Sequence, residues 1–291
     1  MQKLTTLVTC SYAPDAKRCE FLCSSIDKFI PEETPHLILV PKKDLSLFRH
    51  MENKRRTVIS AESILPRFMY QLPGQDKWWV SAFSIPIRGW IVQQLTKLCS
   101  SKAVNTENIM FVDSDTIFIK PFDPDSTVSD GKSRLFLIRT QGKNQTAINK
   151  RIKWHRQSEK LLGLPQNDEL LSGYVSQLIT WNVKSMEALK DRIKSAYKLP
   201  WYIPICNSLR FSEYTLYGVF VEHFKEQMKK HYIDETNLCF CLWKTPNKKL
   251  SIKNLEKEIE NHHVAILIQS TFNIAPESYI EDINRLTNSA G

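Results

Sequence analysis

Two acidic residues, Asp113 and Asp115, directly follow the apolar run IMFV at residues 109–112. Such a run is typical of a strand buried on both faces of a sheet. Two carboxylates at the end of that strand repel each other and resist leaving water, so they need a compensating cation. Oxygen ligands suit Mg²⁺ and Mn²⁺, which keep positions open for water and substrate phosphates. The spacing therefore predicts a divalent-cation site at this pair.

The elements before the acidic pair predict a mostly parallel sheet. Strands are expected at residues 4–9, 36–40 and 57–59, with a helix at 19–29 and another beginning near Asp44. Two such βα units favour an α/β fold with right-handed crossovers. The pair should then lie at the carboxyl edge of the sheet, where ligands bind in open α/β folds.

Further elements are expected around this edge. Segment 84–99 has helical spacing, with a polar stripe of Gln93, Gln94 and Lys97 that can touch a ligand and an apolar face that includes Trp90. The rest of the chain predicts the following: a strand at 134–139, a basic loop and helix to about 168, a strand before Asn182, a helix from Asn182 to 197, a helix at 211–224 capped by Ser212, and a last strand at 264–268.

The bulk properties favour one globular domain. A chain of 291 residues with 42% apolar and 24% charged residues can bury a sizeable single core. No window approaches the ~18 apolar residues of a membrane span, and the N-terminus lacks a signal-peptide pattern. We expect a single domain at 1–291, in the cytoplasm, with peripheral contact at an anionic inner-membrane surface allowed.

The net charge indicates which classes of partner to expect, and the cysteine spacing indicates the state of the thiols. The formal charge of +9 favours anionic partners such as nucleotides, phosphorylated lipids, polyanionic glycans or nucleic acid. Nucleic-acid-binding motifs are missing from the sequence, so no nucleic acid is expected. The seven cysteines have no spacing suited to zinc and are expected as reduced thiols, although Cys239 and Cys241 would share one face of a strand.

An isolated Asp-x-Asp is a weak signal, because solvated acidic turns also produce it. Its context is more specific. The segments RGWIVQQLTKL, FVDSDTIFIKPFD, SGYVSQLITWN and FSEYTLYG, covering roughly residues 85–220, resemble the GT-A glycosyltransferases. They are most similar to the family of glycogenin and the bacterial lipopolysaccharide galactosyltransferases, and to an uncharacterised bacterial group assigned to that superfamily.

The resemblance implies a single GT-A (Rossmann-like) domain, with a nucleotide-binding half at 1–120 and an acceptor-side half at 121–291. It implies transfer of a sugar from a nucleotide-diphosphate sugar to a saccharide, glycolipid or other hydroxyl acceptor, such as a precursor in polysaccharide biosynthesis. The cofactor would be Mn²⁺ or Mg²⁺, neutralising the charge that develops on the departing diphosphate.

The resemblance also implies donor-binding residues. Thr9, Ser11 and Tyr12 follow the first strand, where the family holds the base and ribose, and Tyr12 would stack on the base. Ser114 lies within the acidic motif and is expected to contact the donor. An ordinary βα turn is the alternative for residues 9–12.

The polar stripe of the helix is implied to touch the donor sugar and phosphates. Gln93, Gln94 and Lys97 occupy it, and Lys97 would offer a point charge to the diphosphate. A solvated helix face is the alternative.

Two later segments are implied to complete the site. Ser172, Gly173 and Tyr174 match a turn whose glycine lets backbone amides approach the sugar. Glu213, inside a helix N-terminus, would be the catalytic general base or a contact to the donor sugar. A plain turn and an ordinary capping glutamate are the respective alternatives.

The third metal ligand departs from the family pattern. Many relatives have a histidine at the end of the last core strand, whereas Gln269 takes that place here. Its carbonyl oxygen can ligate a metal, so we expect Gln269 ahead of His263, which precedes the strand.

Three rival functions remain. Haloacid-dehalogenase phosphatases also place Asp-x-Asp at a strand end, but their motif usually opens the domain. Sugar nucleotidyltransferases need a glycine-rich loop after the first strand, and the sequence CSYAPDAKR has no glycine. A catalytically silent protein that binds a polyanion or glycan would retain the fold and the charge.

Overall fold

The computed structural model describes residues 3–67, 69–71, 78–81, 84, 86–139, 145–166, 172–208, 210–242, 257–272 and 274–289. Residues 140–144 and 167–168, which belong to the predicted basic segment, lie outside these ranges. Across the described ranges, no helix combines the length and apolarity that crossing a bilayer requires.

The strands are β1 (Thr5–Cys10), β2 (His36–Val40), β3 (Arg56–Ser60), β4 (Met69–Gln71), β5 (Trp78–Ser81), β6 (Ile87–Arg88), β7 (Asn108–Phe111), β8 (Thr116–Phe118), β9 (Val128–Ser129), β10 (Lys132–Phe136), β11 (Ile179–Asn182), β12 (His231–Asp234), β13 (Cys239–Leu242) and β14 (Ala265–Ile268). The helices are α1 (Ala16–Phe29), α2 (Leu45–Phe48), α3 (Gly89–Cys99), α4 (Gln145–Leu162), α5 (Val183–Tyr197), α6 (Tyr202–Cys206), α7 (Glu213–His223), α8 (Lys225–Met228) and α9 (Glu277–Ser289).

The central sheet has the order β11-β7-β1-β2-β3. All neighbouring pairs are parallel except β11 with β7. Leu7 and Met110 pack with α1 on one face, whereas Val8 and Phe111 pack with α3, α5 and α7 on the other. Burial on both faces explains the continuous apolar runs of these strands. The predicted α/β fold, with a mostly parallel sheet flanked by helices, is confirmed.

A second sheet, β13-β14-β8, continues from the acidic motif. Strand β8 begins one residue after Asp115 and runs antiparallel to β14, so the end of β14 lies beside Asp115. The backbone N–H of Ile268 donates to the carbonyl of Asp115 at 3.2 Å. The predicted strand at 264–268 is thereby confirmed within one residue, and it ends at the site.

Helix caps follow the sequence prediction. The Asn182 side chain accepts a hydrogen bond from the backbone of Ser185, and the Ser212 hydroxyl accepts one from Thr215. Both caps satisfy N–H groups that a helix leaves unpaired at its start.

Two predicted elements need correction. The helix at 84–99 begins only at Gly89, because the preceding residues pair in the small antiparallel sheet β4-β5-β6, which the periodicity did not predict. Trp90, expected to pack, is 48% exposed. The strand expected at 134–139 is β10, which begins at Lys132 and ends at Phe136.

Candidate functional site

The acidic motif forms a tight turn at the carboxyl end of β7. The backbone N–H of Thr116 donates to the carbonyl of Asp113 at 3.1 Å, so the chain reverses from β7 into β8. Asp113 and Asp115 are half-buried on this turn, and Ser114 between them is buried. The strand-end position expected from the apolar run is the one observed.

Asp113 is held by two side chains. Its Oδ1 accepts from Lys97 Nζ at 3.1 Å, and its Oδ2 accepts from Gln177 Nε2 at 2.6 Å. The Gln177 amide oxygen in turn accepts the backbone N–H of Asp113 at 3.2 Å. This reciprocal pair fixes the orientation of the carboxylate, while 29% of its side chain stays exposed.

Lys97 is a buried counter-ion. Its ammonium contacts Asp113 Oδ1, Glu213 Oε1 at 3.2 Å and Tyr214 Oη at 2.9 Å. Burial acts to lower its pKa, but the neighbouring Asp113, Tyr214 and Glu213 raise it well above the ordinary value. An ammonium has three protons. All three have partners here, so the expected point charge for a diphosphate is instead committed to two carboxylates and a phenol.

The rest of the predicted polar stripe divides in two. Gln94 is buried, and its Oε1 accepts the backbone N–H of Glu213 at 2.9 Å, which joins α3 to the start of α7. Gln93 is exposed to solvent. Glu213 is only 6% exposed, and its carboxylate is paired with Lys97 in the protein interior.

Asp115 is the less compensated of the two acids. Its Oδ2 accepts the backbone N–H of Ser270 at 3.0 Å. Within the described residues, no basic side chain forms an ion pair with it. Burial raises its pKa to about 7, and the charge of Asp113 adds to that effect. In the described part of the chain, Asp115 therefore lacks the cationic partner that Asp113 has in Lys97.

The carboxylate oxygens of Asp113 and Asp115 suit a hard divalent cation whose remaining coordination positions are filled by substrate. Among the described residues, no group of three or more His, Cys, Asp or Glu side chains could hold a metal. However, Mg²⁺ is commonly bound by one or two carboxylates together with water and phosphate oxygens. Each carboxylate offers about four lone-pair sites, and the contacts of Asp113 and Asp115 use only some of them.

The candidates for the third ligand lie at opposite ends of β14. Gln269 directly follows the strand, next to the Ser270 contact with Asp115, and its Oε1 accepts from Thr271 Oγ1 at 3.3 Å. His263 precedes the strand, and its Nδ1 accepts the backbone N–H of Glu260 at 2.9 Å. Gln269 is therefore on the same side as the acidic pair and His263 is not.

The residues at the end of β1 differ in burial: Thr9 lies within the strand, and Ser11 and Tyr12 follow it. Thr9 is fully buried, and its hydroxyl hydrogen-bonds His36 Nε2 at 3.0 Å. Ser11 is 7% exposed, whereas Tyr12 is 47% exposed at the end of the strand. Of these three residues, Tyr12 offers an exposed side chain.

Asp15 is a further acid whose charge acts on the acidic pair, and it was not among the predicted site residues. Burial raises its pKa, and Arg18 opposes the shift through a 3.2 Å ion pair. The charge of Asp15 also helps raise the pKa of Asp115. An acid shortly after the end of β1 was the available signal, since β1 and β7 are parallel neighbours whose carboxyl ends share one edge.

The turn at residues 172–174 serves helix packing. Gly173 forms an isolated antiparallel bridge with Ile138. Tyr174 is buried, donates a hydrogen bond to Glu222 and stacks on His155, and a Cβ on Gly218 would overlap its ring. The Ser172 carbonyl is 2.7 Å from the His155 ring nitrogen, which links the turn to α4.

The side chain of this segment that reaches Asp113 is Gln177, which the sequence analysis did not single out. Its position, a polar residue two places before the buried strand β11, was the only local signal. All seven cysteines are free thiols; Cys241 is partly buried and the other six are buried.

The fold and site define an α/β protein with an acidic cluster at the carboxyl edge of its parallel sheet. Residues 4–291 match the model of a family described as a family of unknown function, DUF6492, and the chain belongs to that family. No curated protein matches the sequence.

Two solved structures of the protein LgtC resemble the fold at 9% sequence identity, each covering 98% of this chain and 95% of the other. One is an active-site mutant of LgtC, with a TM-score of 0.49. The other, with a TM-score of 0.46, is described as the galactosyltransferase LgtC in complex with donor and acceptor sugar analogues.

Proposed function

We propose that this protein is a metal-dependent glycosyltransferase that moves a sugar from a nucleotide-diphosphate sugar to a hydroxyl acceptor. The observation that carries the proposal is the pair of half-buried carboxylates, Asp113 and Asp115, at the carboxyl end of the central strand β7. The sequence resemblance to GT-A glycosyltransferases runs through the same segments. Both lead to a cation site next to a nucleotide-binding edge.

Asp113 and Asp115 would hold Mn²⁺ or Mg²⁺, with Gln269 as a third oxygen donor. The bound ion would supply Lewis-acid stabilisation of the departing diphosphate. The raised pKa of Asp115 supports this role, because a divalent cation would favour its charged form. Tyr12, exposed at the same edge, is our candidate to stack on the nucleobase.

The remaining residues of the cluster would position the acids. Lys97 balances Asp113 and Glu213, and Gln177 fixes the rotamer of Asp113. Because Glu213 is buried against Lys97, we assign it to this supporting group and not to proton abstraction from the acceptor. Buried supporting side chains of this type keep the metal-binding carboxylates preorganised.

A thermal-shift panel of nucleotide sugars with Mn²⁺ tests the proposal, since a selective ligand stabilises the folded state in proportion to ln(1 + [L]/Kd). We expect at least one nucleotide sugar to raise the Tm only when Mn²⁺ is present. Asp115→Asn should abolish that shift, whereas Asp191→Asn, which changes an exposed acid of α5, should leave it intact. Calorimetric donor binding that is unchanged in Asp115→Asn would contradict the site.

Two activity assays separate the rival functions. Metal-dependent release of a nucleoside diphosphate would exclude a pure binding protein. Robust hydrolysis of an aryl phosphate with Mg²⁺, lost in Asp113→Asn, would instead favour the phosphatase.

A further inference from the structure

Aromatic side chains are exposed on the outer face of the small sheet β4-β5-β6. Tyr70 is 60% exposed and Trp78 is half-buried. Strand alternation places Tyr70, Val80, Trp78 and Arg88 on one face, because Tyr70 pairs with Val80 and Trp78 pairs with Arg88. The opposite face contributes Met69, Trp79 and Ile87 to the core.

Another exposed aromatic side chain lies at the start of α3, the helix that directly follows β6. Arg88 is the N-cap residue of this helix, and Trp90, two residues later, is 48% exposed. The guanidinium carbon of Arg88 lies 5.9 Å from the centroid of the Trp78 ring. We call Tyr70, Trp78, Arg88 and Trp90 the aromatic platform. Large apolar side chains grouped in this way on a surface mark an interaction site more often than isolated ones do.

Helix α3 connects the platform to the acidic cluster. Trp90, Gln94 and Lys97 are spaced i, i+4, i+7, so they lie along one stripe of the helix. The stripe changes from exposed Trp90 to buried Gln94 and Lys97, and Lys97 contacts Asp113. Seven residues of α-helix span roughly 10 Å. A molecule lying on the platform therefore has one end within reach of the edge where the donor would be bound.

The chemistry of the platform fits a saccharide. The face of an aromatic ring carries partial negative charge, which attracts the C–H hydrogens on the flat side of a pyranose, while a guanidinium donates to sugar hydroxyls and carboxylates. Three partly exposed rings offer at most a few hundred Å², less than the ~800 Å² per partner of a stable protein interface. Anionic membranes are bound by clusters of basic residues. On the described strands of this sheet, the outer face carries Arg88 as its basic side chain.

We propose that the aromatic platform is the docking site for a saccharide acceptor, with Tyr70, Trp78 and Trp90 stacking on successive sugar rings and Arg88 bonding their polar groups. This inference rests on the proposed glycosyltransferase function and names its acceptor class.

Saccharide binding without donor tests the platform directly. The full-length protein is probed on an array of malto-, chito-, gluco- and galacturono-oligosaccharides, and the best binder is titrated calorimetrically. We expect Tyr70→Ala and Trp90→Ala each to weaken binding about tenfold, and Trp90→Tyr, which retains a ring, to restore most of it. Leu199→Ala, which removes an exposed apolar side chain after α5, is the matched control and should bind as the wild type does.

Measurements with the nucleotide-sugar donor test the platform separately from the proposed transferase function. The platform variants should retain the Mn²⁺-dependent Tm shift with the nucleotide sugar and raise the KM for the saccharide acceptor while leaving the donor KM unchanged. If the donor shift is present but the wild type binds no oligosaccharide, or binds one equally well in both alanine variants, the platform is wrong and the transferase proposal stands. If platform-dependent saccharide binding occurs without any donor shift, the transferase proposal fails, and the platform stands as a saccharide-binding surface but not as an acceptor site.

Discussion

Two buried cations, Arg56 on strand β3 and Lys97 on helix α3, have different surroundings. Arg56 on β3 donates to His36 Nδ1, to the carbonyls of Met51 and Cys23, and to both oxygens of Asp27. Each of these N–H groups donates to its own acceptor, and we call such a fully paired network closed. Arg56 thus serves to join β2, β3 and α1.

The Lys97 network is open by comparison. One ammonium faces two carboxylates and a phenol, and Asp113 remains partly exposed beside the less compensated Asp115. Negative charge exceeds positive charge in this cluster, and part of it is accessible to solvent. A closed network stabilises the fold, whereas an open one with spare acceptors is prepared for a ligand.

Removing the cation of the closed network should produce the largest loss of stability. Arg56→Met leaves His36 Nδ1 and two buried carbonyls without their donor, so the free energy of unfolding should fall by about 3–5 kcal/mol. Urea unfolding measures the change. Because the network does not touch the acidic pair, Mn²⁺-dependent donor binding by the folded fraction should persist; its loss would mean that the two regions are coupled.

Removing Lys97, the cation of the open network, should lower the free energy of unfolding less than Arg56→Met does. It should impair donor turnover more. Lys97→Met leaves Glu213 buried without a partner, and we expect about 2–3 kcal/mol of destabilisation, because the exposed part of Asp113 can be solvated.

The double variant Lys97→Met/Glu213→Gln sharpens the contrast. It should recover about 1–2 kcal/mol, because the unpaired charge is gone, but not donor turnover. Recovery of turnover along with stability would show that the cluster is structural only.

Much of the closed framework was predictable and much of the open site was not. Local patterns can be recognised in a single sequence. They include the buried apolar runs of β1, β2 and β7 and the helix caps Asn182 and Ser212. The motif at Asp113 was found because it directly follows such a run.

The contacts of the site depend on pairings that no local pattern encodes. Gln177 reaches Asp113 across 64 residues, and the small sheet that carries the aromatic platform is made of strands only two to four residues long. Lys97 was selected from its position on the polar stripe, but its three acceptors come from the turn after β7 and from α7, and the helix sequence alone does not reveal them.

Neutralising the less compensated acid should stabilise the metal-free protein. The pKa of Asp115 is raised from 3.8 to about 7, so the folded state binds its proton more tightly than the unfolded state does. The resulting penalty is absent below pH 3.8, grows as the pH rises to 7 and is constant above that value.

At pH 8 we therefore expect Asp115→Asn to raise the free energy of unfolding by about 1–2 kcal/mol in EDTA. Mn²⁺ should reverse the ranking of wild type and variant. A variant that is less stable than the wild type in EDTA would show that Asp115 is compensated by the protein itself.

The closed network should show the opposite response to pH. Burial, with the charges of Arg56 and Arg55, holds the pKa of His36 well below 6.5, so this ring is neutral when folded and accepts the Arg56 hydrogen bond at Nδ1. The unfolded chain takes up a proton below pH 6.5 that the folded chain refuses, and stability falls as the pH drops. One such histidine contributes about 1 kcal/mol of loss at pH 5.5. Replacing it in His36→Gln should flatten the acid limb of the urea stability profile, even though the variant is less stable at pH 8. An acid limb as steep as that of the wild type would mean that His36 is already protonated within the fold, and Arg56 could not then be donating to it.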